Sequence, residues 1–593
     1  MKDFFKMTLA VICGILLAGF LFLFLTFGLV GSLSSSGTKP VLPKSGVLTM
    51  DMSKFVLSEQ TQETDPMSAI QGNATKTVGL LDAVQAIDAA AADPSVKFIF
   101  LKPDGVTAGM TQLEELRKSF ESFRQSGKAI VSYIENPSTA SYYLASASDK
   151  ILMTSNVGAG SQITGVGTQM IFLKDLLDKL GVNIQLIRHG KYKSAGEMYI
   201  KNAPSPENLE QTQVMISSIW DTFCGEIAQS RSIAPEKFSA LIDDLALNFP
   251  EDFLANGLVD ELVTKEELKE KLTVLFGAEK YDEVKSVALP DYIAAKVLPN
   301  FKAKKKIAII YAEGNIVEGS QKSQIAGDRY ASIISKVRAD STIKAVVLRV
   351  ASPGGSVLAS DKIKTEIDLL RKVKPVIASY GDYAASGGYW ISNSCDKIFT
   401  GKTTLTGSIG VFGMIPDLSK TAKDLLHINI TTVGSNKHST MPSLTRPMDE
   451  SETAYMQASI EHIYDAFVNT VAEGRDLTPA FVDSVAQGRV WTGADALEIG
   501  LVDEIGTLKD ALHYAAICAG TPDGNLDEWR IENYPKPKTT LETLMETLGQ
   551  TSEEAALDQF PGMKGIRDSF RNWDFRTSDK VYARMPFEYV IQL

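Results

Sequence analysis

The chain has 593 residues, of which 44% are hydrophobic, and a formal net charge of −12. This length exceeds one compact domain of roughly 100–200 residues and is ample for large hydrophobic cores. The mild acidity, without basic blocks, excludes the concentrated basic surface that nucleic-acid binding requires, so no nucleic-acid partner is expected.

The first predicted element is a membrane-spanning helix. No charged residue occurs from Met7 to Val30, and a helix of that length extends about 36 Å, against a hydrocarbon core of about 30 Å. We therefore expect a single-pass anchor over residues 7–33. The alternative is a cleaved signal peptide, but its apolar region would be only about 7–15 residues long. Processing, if it occurs, would fall near Ser32–Ser36.

The charges around this run predict its orientation. Lys2 and Lys6 precede it, and positive residues favour the cytoplasmic side of a membrane. We therefore expect residues 1–6 in the cytoplasm, residues 34–44 as a linker, and the body of the chain on the opposite side of the membrane. The lipid bilayer is thus one expected partner.

Beyond the linker, short β-rich runs alternate with helical patterns. Such alternation predicts an α/β fold of parallel strands joined by crossover helices. The clearest predicted strands are Phe98–Leu101, Ala129–Tyr133, Ala345–Val350 and Val376–Tyr380, and the clearest predicted helices are Leu113–Phe123 and Lys362–Arg371.

The body consists of two copies of one unit. Ser132–Ile151 aligns with Ser379–Ile398, sharing Ser-Tyr, an aromatic pair and Asp-Lys-Ile. The sequence Gly-Leu-Val-Asp likewise occurs at 257–260 and again at 500–503. The leucine-rich stretch Leu173–Ile187 matches Ser419–Val433. Self-similarity of this kind indicates tandem structural repeats.

These copies define the expected domains. We place the first repeat at 45–301 and the second at 302–530, with the boundary just before the β-rich run Ile307–Tyr311. From Pro535 the pattern breaks, so residues 531–593 are expected to form a C-terminal tail, either an arm that packs on a partner or a loose appendage.

The second copy carries a candidate nucleophile. Ser386 lies among small residues in Gly381–Trp390, which leaves its hydroxyl open to a substrate. Backbone N–H groups of Gly387 and of the Gly354-Gly355 turn are candidates for an oxyanion hole. The first copy has Thr139 where the second has Ser386, so one active centre is expected, built mainly on the second copy.

A serine nucleophile needs a base. The chain has five histidines, none within 35 residues of Ser386. Lys193, which follows a β-rich run in the first copy, is an alternative. A lysine pair such as Lys191 and Lys193 is ordinarily a solvated surface. Burial, however, disfavours the charged amine and lowers its pKa from about 10.4 towards neutrality, and a Ser/Lys dyad needs no histidine.

Five motifs in this order resemble the signal peptide peptidase A (protease IV) family, in its long two-repeat bacterial form. The resemblance covers about residues 7 to 520. The motifs are GKYKSAGE at Gly190–Glu197, SPGGS at Ser352–Ser356, GDYAASGGYW at Gly381–Trp390, TLTGSIGVFG at Thr404–Gly413 and GRVWTGADALEIGLVDEIG at Gly488–Gly506.

The resemblance implies a fold, an activity and an assembly. The fold would be two tandem ClpP/crotonase-like repeats after an N-terminal transmembrane helix. The activity would be that of a membrane-bound serine endopeptidase acting on signal peptides left in the membrane. The assembly would be a bowl-shaped homotetramer with a hydrophobic interior.

The resemblance also implies residue roles. Ser386 would be the nucleophile, Lys193 the general base supplied by the other repeat, and Ser408 the residue that orients the lysine. No metal and no cofactor enters this mechanism. The four cysteines independently argue against a zinc site, because they form no CxxC motif and no tight Cys/His cluster.

Several alternatives stay open at the level of sequence. Lys437, close to the second-copy counterpart of Lys193, is a rival base. Tyr383, Tyr389 and Trp390 line either a substrate cleft or the core. The dyad partners meet either within one chain or between neighbouring chains. The alternative functions are a crotonase-like acyl-thioester-binding enzyme, because fold does not fix function, and a catalytically inactive membrane scaffold.

Overall fold

The computed structural model describes residues 40–61, 76–536 and 581–585, together with the single positions 14 and 591. Apart from position 14, the predicted anchor lies outside the described residues. Among the residues that are described, no helix is both long enough and apolar enough to cross a membrane.

The first half of the chain alternates strands and helices. Its strands are β1 (Gly46–Asp51), β2 (Phe55–Ser58), β3 (Lys76–Gly79), β4 (Val96–Lys102), β5 (Ile130–Ile134), β6 (Lys150–Thr154), β7 (Asn183–Arg188), β8 (Glu261–Val263) and β9 (Ser286–Ala288). Its helices are α1 (Leu80–Ala92), α2 (Met110–Arg124), α3 (Thr139–Ala145), α4 (Lys174–Lys179), α5 (Glu197–Ile200), α6 (Pro206–Arg231), α7 (Pro235–Asp243), α8 (Pro250–Ala255), α9 (Lys265–Phe276) and α10 (Leu289–Lys296).

The second half repeats this alternation. Its strands are β10 (Lys305–Glu313), β11 (Ile316–Val317), β12 (Ile325–Ala326), β13 (Ile343–Ser352), β14 (Gly354–Ser356), β15 (Val376–Ala385), β16 (Lys397–Thr400), β17 (Leu405–Gly407), β18 (Phe412–Asp417), β19 (Val490–Thr492), β20 (Glu504–Ile505), β21 (Trp529–Tyr534) and β22 (Tyr582–Arg584). Its helices are α11 (Gly327–Ala339), α12 (Val357–Arg371), α13 (Gly387–Trp390), α14 (Glu450–Arg475), α15 (Pro479–Val485), α16 (Gly493–Glu498) and α17 (Leu508–Cys518).

Two parallel sheets of the same strand order confirm the prediction of tandem α/β repeats. The order β9-β1-β4-β5-β6-β8 in the first repeat corresponds to β21-β10-β13-β15-β16-β20 in the second. The neighbouring strands in both series are parallel. The long helices α6 and α14, each of 26 residues, follow at equivalent places in the two copies.

The central strands explain why these sequences form parallel sheets. In β10 the residues from Ile307 to Ala312 are all buried, and in β13 those from Ala345 to Val350 are buried as well. Apart from Arg349 in β13 these buried residues are apolar, and a largely apolar run suits a strand covered by helices on both faces. The four predicted strands overlap β4, β5, β13 and β15, and the two predicted helices lie within α2 and α12.

The structure differs from the sequence-based picture at two places. Strand β21 pairs with β10 as far as Tyr534, so the second sheet continues past residue 530, where we expected the second repeat to end. The stretch 428–430, which matches the first copy in sequence, forms no strand, and Ile428 and Ile430 are about half exposed. Its first-copy counterpart lies in β7, which pairs with β18.

A third, mixed sheet joins the two repeats. Its order is β12-β11-β14-β22-β18-β7, and β7 is the member that comes from the first repeat. Strands β7 and β18 are antiparallel, with register pairs from Asn183–Asp417 to Arg188–Phe412. This pairing carries the residues that follow β7 into the second repeat.

A buried ion cluster also ties the repeats together. The Arg349 side chain on β13 has its Nε 2.7 Å from Glu59 Oε2 and its NH1 2.9 Å from Glu115 Oε1 on α2. All three side chains are almost completely buried. Arg349 also donates to Ser379 Oγ and to the Tyr380 carbonyl oxygen, both at 2.9 Å. Its charge is therefore satisfied only while the repeats are docked.

We expect Arg349→Met to lower the free energy of unfolding by about 3–5 kcal/mol, because it leaves two carboxylates buried without their cation. Urea denaturation of the full chain, followed by circular dichroism, measures this loss. The control is Arg124→Met, which removes the exposed pair with Asp149 and should cost less than about 1 kcal/mol. Equal losses of unfolding free energy in the two variants would show that the buried cluster contributes no more stability than an exposed ion pair.

Candidate active site

Ser386 lies at a strained turn between β15 and α13. Its φ is 54° and its ψ is −112°, a conformation that residues other than glycine rarely adopt and that tends to occur at functional sites. The Ser386 N–H donates to the Gly407 carbonyl oxygen at 2.8 Å, which fixes the turn against β17. The side chain is fully buried.

Lys193 reaches this turn from the other repeat. It follows β7, and the segment is held because the Tyr192 N–H donates to the Gln487 carbonyl oxygen at 2.9 Å. Gly488 allows the close approach: it has φ +78°, and a Cβ there would lie 2.5 Å from Lys193 Cβ. Any larger residue at 488 would push Lys193 away.

The Lys193 amine contacts both candidate serines. Its Nζ lies 2.9 Å from Ser386 Oγ, 3.0 Å from Ser408 Oγ and 3.1 Å from the Ser408 carbonyl oxygen. The three residues are fully buried. Ser386 and Lys193 belong to one chain, so a neighbouring chain is not needed to bring them together.

Burial determines the charge state of this amine. Desolvation holds the pKa of Lys193 well below its ordinary value of 10.5. The nearest aromatic ring, that of Phe412, has its centroid 5.9 Å from Nζ. The lower pKa favours the neutral form of the amine, and that form is able to accept a proton from the hydroxyl that it contacts.

Ser408 is placed to restrict the lysine. It also has a positive φ, of 49°, and its N–H donates to the Arg489 carbonyl oxygen at 2.7 Å. The turn therefore presents both the hydroxyl and the carbonyl oxygen of Ser408 to the same amine. Two acceptors on one side of Nζ fix its rotamer and leave the lone pair of a neutral amine for Ser386.

The three predicted oxyanion glycines lie together beside Ser386. Ideal Cβ positions show the packing: one built on Gly387 would lie 3.1 Å from the Gly355 nitrogen, and one built on Gly354 would lie 2.7 Å from the Gly387 nitrogen. Gly354 has φ +101°, which a side chain would strain. Backbone N–H groups can approach a carbonyl closely here because no side chain intervenes.

Lys437, the rival base, lies elsewhere. Its side chain is 71% exposed, and its Nζ is 3.8 Å from Asp449 Oδ2. It is a solvated surface lysine, whereas Lys193 is enclosed with Ser386. Tyr389 and Trp390 are both buried in the core. Tyr389 donates to the Leu501 carbonyl oxygen at 2.8 Å, whereas Trp390 also lines a cavity.

Among the described residues of the first repeat, no equivalent centre is formed. Thr139 begins α3 and donates its hydroxyl to the Gly165 carbonyl oxygen at 3.1 Å, so it is engaged within its own repeat. In the second copy, the residues after the corresponding strand form β17 and β18. In the first copy, the residues after β6 form only an isolated bridge, between Gln162 and Ser138. The sequence contrast between the copies thus has a structural counterpart.

Sequence reasoning missed three features of the site. Gly488 shapes the seat of Lys193, and its signal was present in the GRVWTGADAL motif. Strand β11 packs so closely on Gly355 that a Cβ there would collide with the Ile316 carbonyl oxygen. The tail strand β22 pairs with β14 at the site, and its three residues carry no sequence pattern that predicts this pairing.

Comparison with known proteins identifies relatives over most of the chain. The model of "Peptidase family S49" matches residues 122–279 and 368–521. Protease 4 of Haemophilus influenzae is 33% identical over 556 residues, covering 90% of this chain and 89% of that protein. Protease 4 of Salmonella typhi is 34% identical over 484 residues, covering 79% and 76%.

A plant relative is also similar. The chloroplastic serine protease SPPA of Arabidopsis thaliana is 31% identical over 504 residues, covering 84% of this chain and 72% of that protein. The two matched segments of the family model fall one in each repeat, so both repeats carry the likeness.

Proposed function

This chain belongs to peptidase family S49, and we propose that it is a serine endopeptidase in which Ser386 is the nucleophile and Lys193 the general base. The observation that carries the proposal is the contact of 2.9 Å between Lys193 Nζ and Ser386 Oγ inside a fully buried site. Burying a lysine amine carries a desolvation cost, and few purely structural roles require a lysine to be buried against a serine.

Acylation begins with the neutral amine. Lys193 Nζ takes the proton of Ser386 as Oγ attacks the substrate carbonyl carbon, and Ser408 holds the amine during the transfer. Protonated Lys193 then gives that proton to the leaving amine, and the peptide bond breaks. Water that loses a proton to the same Nζ releases the acyl group and restores Ser386.

The negative charge that develops on the carbonyl oxygen is stabilised by backbone N–H groups. Those of Gly387 and of the Gly354–Gly355 turn are the donors we propose. Each fixed donor contributes about 3–4 kcal/mol to the transition state in well-studied oxyanion holes. The tight glycine packing beside Ser386 supports this assignment.

The substrates we propose are signal peptides that remain in the bilayer after their cleavage, degraded on the periplasmic side of the inner membrane. The uncharged run from Met7 to Val30 supports a membrane anchor. A cavity of about 560 Å³ beside the site, with Leu358, Trp390 and Ile463 among its lining residues, supports apolar substrates.

An exposed apolar surface supports the proposed homotetramer. Residues on the 421–433 segment, among them Leu426 and Val433, are 61% and 90% exposed. Leu180 of the first repeat lies against this segment, its carbonyl oxygen accepting from Thr421 Oγ1 at 2.6 Å. Several large apolar side chains exposed on one segment are typical of surfaces that contact other copies or a membrane.

A serine-directed phosphonate probe tests the proposal. We expect a peptidyl phosphonate to label the wild-type chain at Ser386, identified by peptide mass mapping, and to leave Ser386→Ala unlabelled. Ser126→Ala, a surface serine of the first repeat, is the matched control and should label as the wild type does. Absence of labelling in a folded wild-type preparation would favour the inactive scaffold.

A further inference from the structure

Gln211 is a buried amide on α6 of the first repeat, and it lies against the segment that carries Lys193. Its side chain is almost completely enclosed. Gln211 Nε2 donates to the Tyr192 carbonyl oxygen at 3.1 Å and to Ser194 Oγ at 3.0 Å. These acceptors belong to the residues immediately before and after Lys193. One side chain therefore holds the chain on both sides of the proposed base.

The other end of the same amide contacts the second repeat. Gln211 Oε1 accepts from the N–H of Val490, the first residue of β19, at 3.3 Å. Val490 lies opposite Gly407 in the antiparallel pair of β19 with β17. The Gly407 carbonyl oxygen is the acceptor of the Ser386 N–H, so this contact leads directly to the turn of the proposed nucleophile.

The same part of the second repeat also fixes Ser408. The residue before Val490 is Arg489, whose carbonyl oxygen accepts from the Ser408 N–H at 2.7 Å. Ser408 in turn contacts the Lys193 amine. A side-chain amide donates at its nitrogen and accepts at its oxygen, so Gln211 bonds to the lysine segment and to the serine segments at once.

A second side chain holds the lysine segment without reaching across the repeats. Arg188 NH1 donates to the Lys193 carbonyl oxygen at 2.6 Å, and the Arg188 guanidinium is paired with buried Glu197 at 3.3 Å. That pairing balances its charge locally, and desolvation is the cause that lowers the pKa of Lys193. Of these two side chains, Gln211 is the one that bonds to the second repeat in the part of the chain that the structure describes.

We infer that Gln211 is a positioning residue of the active site, and that its amide sets the separation of the Lys193 amine and the Ser386 hydroxyl. This inference rests on the proposed function. Gln211 acts through the backbone that it holds, not by contact with the substrate. Proton transfer needs Nζ and Oγ near their separation of 2.9 Å, and a misplacement of about 1 Å can cost about 10²-fold in rate.

The variant Gln211→Met tests the inference. Methionine fills a similar space, but its thioether cannot donate to the Tyr192 carbonyl oxygen and accepts only weakly from Val490. We expect kcat to fall by about 10²-fold while KM stays within about twofold of wild type, because the loss concerns the alignment of the reacting groups and not substrate binding. Both constants are measured on a fluorogenic peptide with the full chain.

The pH profile separates positioning from a purely structural role. When the amide no longer holds the segment, the Lys193 amine is free to leave its buried position, and hydration favours its charged form. The rise of kcat/KM with pH should then occur at higher pH in Gln211→Met than in the wild type. A Gln211→Met chain with a lower Tm but with wild-type kcat and an unshifted rise would overturn the inference.

Arg117→Met is the matched control for lost stability. Arg117 is also buried and also holds α6, donating from NH2 to the Glu226 carbonyl oxygen at 3.0 Å and from NH1 to Ser146 Oγ at 2.7 Å. This variant should lower the Tm at least as much as Gln211→Met does, without changing kcat or the position of the pH rise. An equal fall of kcat in both variants would assign the effect to stability and contradict the inference.

Gln211→Glu keeps the test valid where methionine disturbs the fold. Glutamate has the shape of glutamine and still accepts from Val490, but its carboxylate cannot donate to the Tyr192 carbonyl oxygen. A carboxylate beside the lysine segment also favours the charged amine. We therefore expect a lower kcat and a rise at higher pH, and wild-type values of both would refute the role of the amide.

The two proposals fail separately. Phosphonate labelling of Ser386 in the wild-type chain tests the peptidase alone, and a folded wild-type chain that is not labelled would overturn both proposals. If labelling occurs while Gln211→Met keeps the wild-type kcat and pH profile, the peptidase proposal stands and the inference about Gln211 falls.

Discussion

Replacing Lys193 with methionine should reduce peptide hydrolysis by about 10³-fold or more, while Lys437→Met should leave the rate within about twofold of wild type. General-base catalysis contributes about 10²–10⁴-fold, and a nucleophile without its base loses more. Of these two lysines, only Lys193 contacts Ser386, at 2.9 Å, whereas Lys437 is exposed. The measurement is kcat/KM on a fluorogenic peptide at pH 8.

The thermal stability of the variants serves as the control for folding. Because burial disfavours the charged amine of Lys193, methionine at this position relieves a desolvation cost, and the Tm of Lys193→Met should be no lower than that of wild type. A stable Lys193→Met chain that keeps more than about a tenth of its activity would remove Lys193 from the mechanism. Loss of activity in Lys437→Met would move the base into the second repeat.

Gly354→Ala should lower kcat by about 10²–10³-fold, the loss typical of one oxyanion donor. The new Cβ would lie 2.7 Å from the Gly387 nitrogen and would collide with any carbonyl oxygen placed where that of Ala583 lies. It would also strain a backbone with φ +101°. The measurement is kcat at saturating peptide, so that weakened substrate binding does not contribute.

Gly127→Ala is the matched control for backbone strain. Gly127 also has a positive φ, of 80°, but a Cβ there would meet nothing within 4 Å. This variant should lose some stability and keep its kcat. If both variants lose kcat equally, strain rather than obstruction is the cause, and the oxyanion assignment of Gly354 is wrong.

Much of the fold was predictable because its signals are local. The buried run of β10 is apolar throughout, that of β13 is apolar except at Arg349, and the copies share motifs such as Gly-Leu-Val-Asp. Strand β21 crosses the boundary that we predicted at residue 530. Its parallel partner β10 lies far away in sequence, and local pattern carries no information about such pairing.

The sequence alone offered Ser386 and Lys193 as candidates, whereas their pairing and the role of Ser408 came from the resemblance. Nothing near Ser386 in sequence indicates Lys193, because the two meet through the long-range pairing of β7 with β18. In the proposed mechanism the first repeat supplies the base, and no histidine is required. The tail strand was not predictable, because Val581 to Met585 form a strand only against an existing groove.

The pH dependence of kcat/KM most directly tests the claim that Lys193 is the base for Ser386. Only the neutral amine accepts the proton, and burial lowers the pKa of Lys193 well below 10.5. The rate should therefore rise with pH through one ionisation far below the ordinary lysine range and then remain constant. A rate that rises only near pH 10.5, or an inflection at about 6.5 that disappears in His189→Gln, would contradict the account.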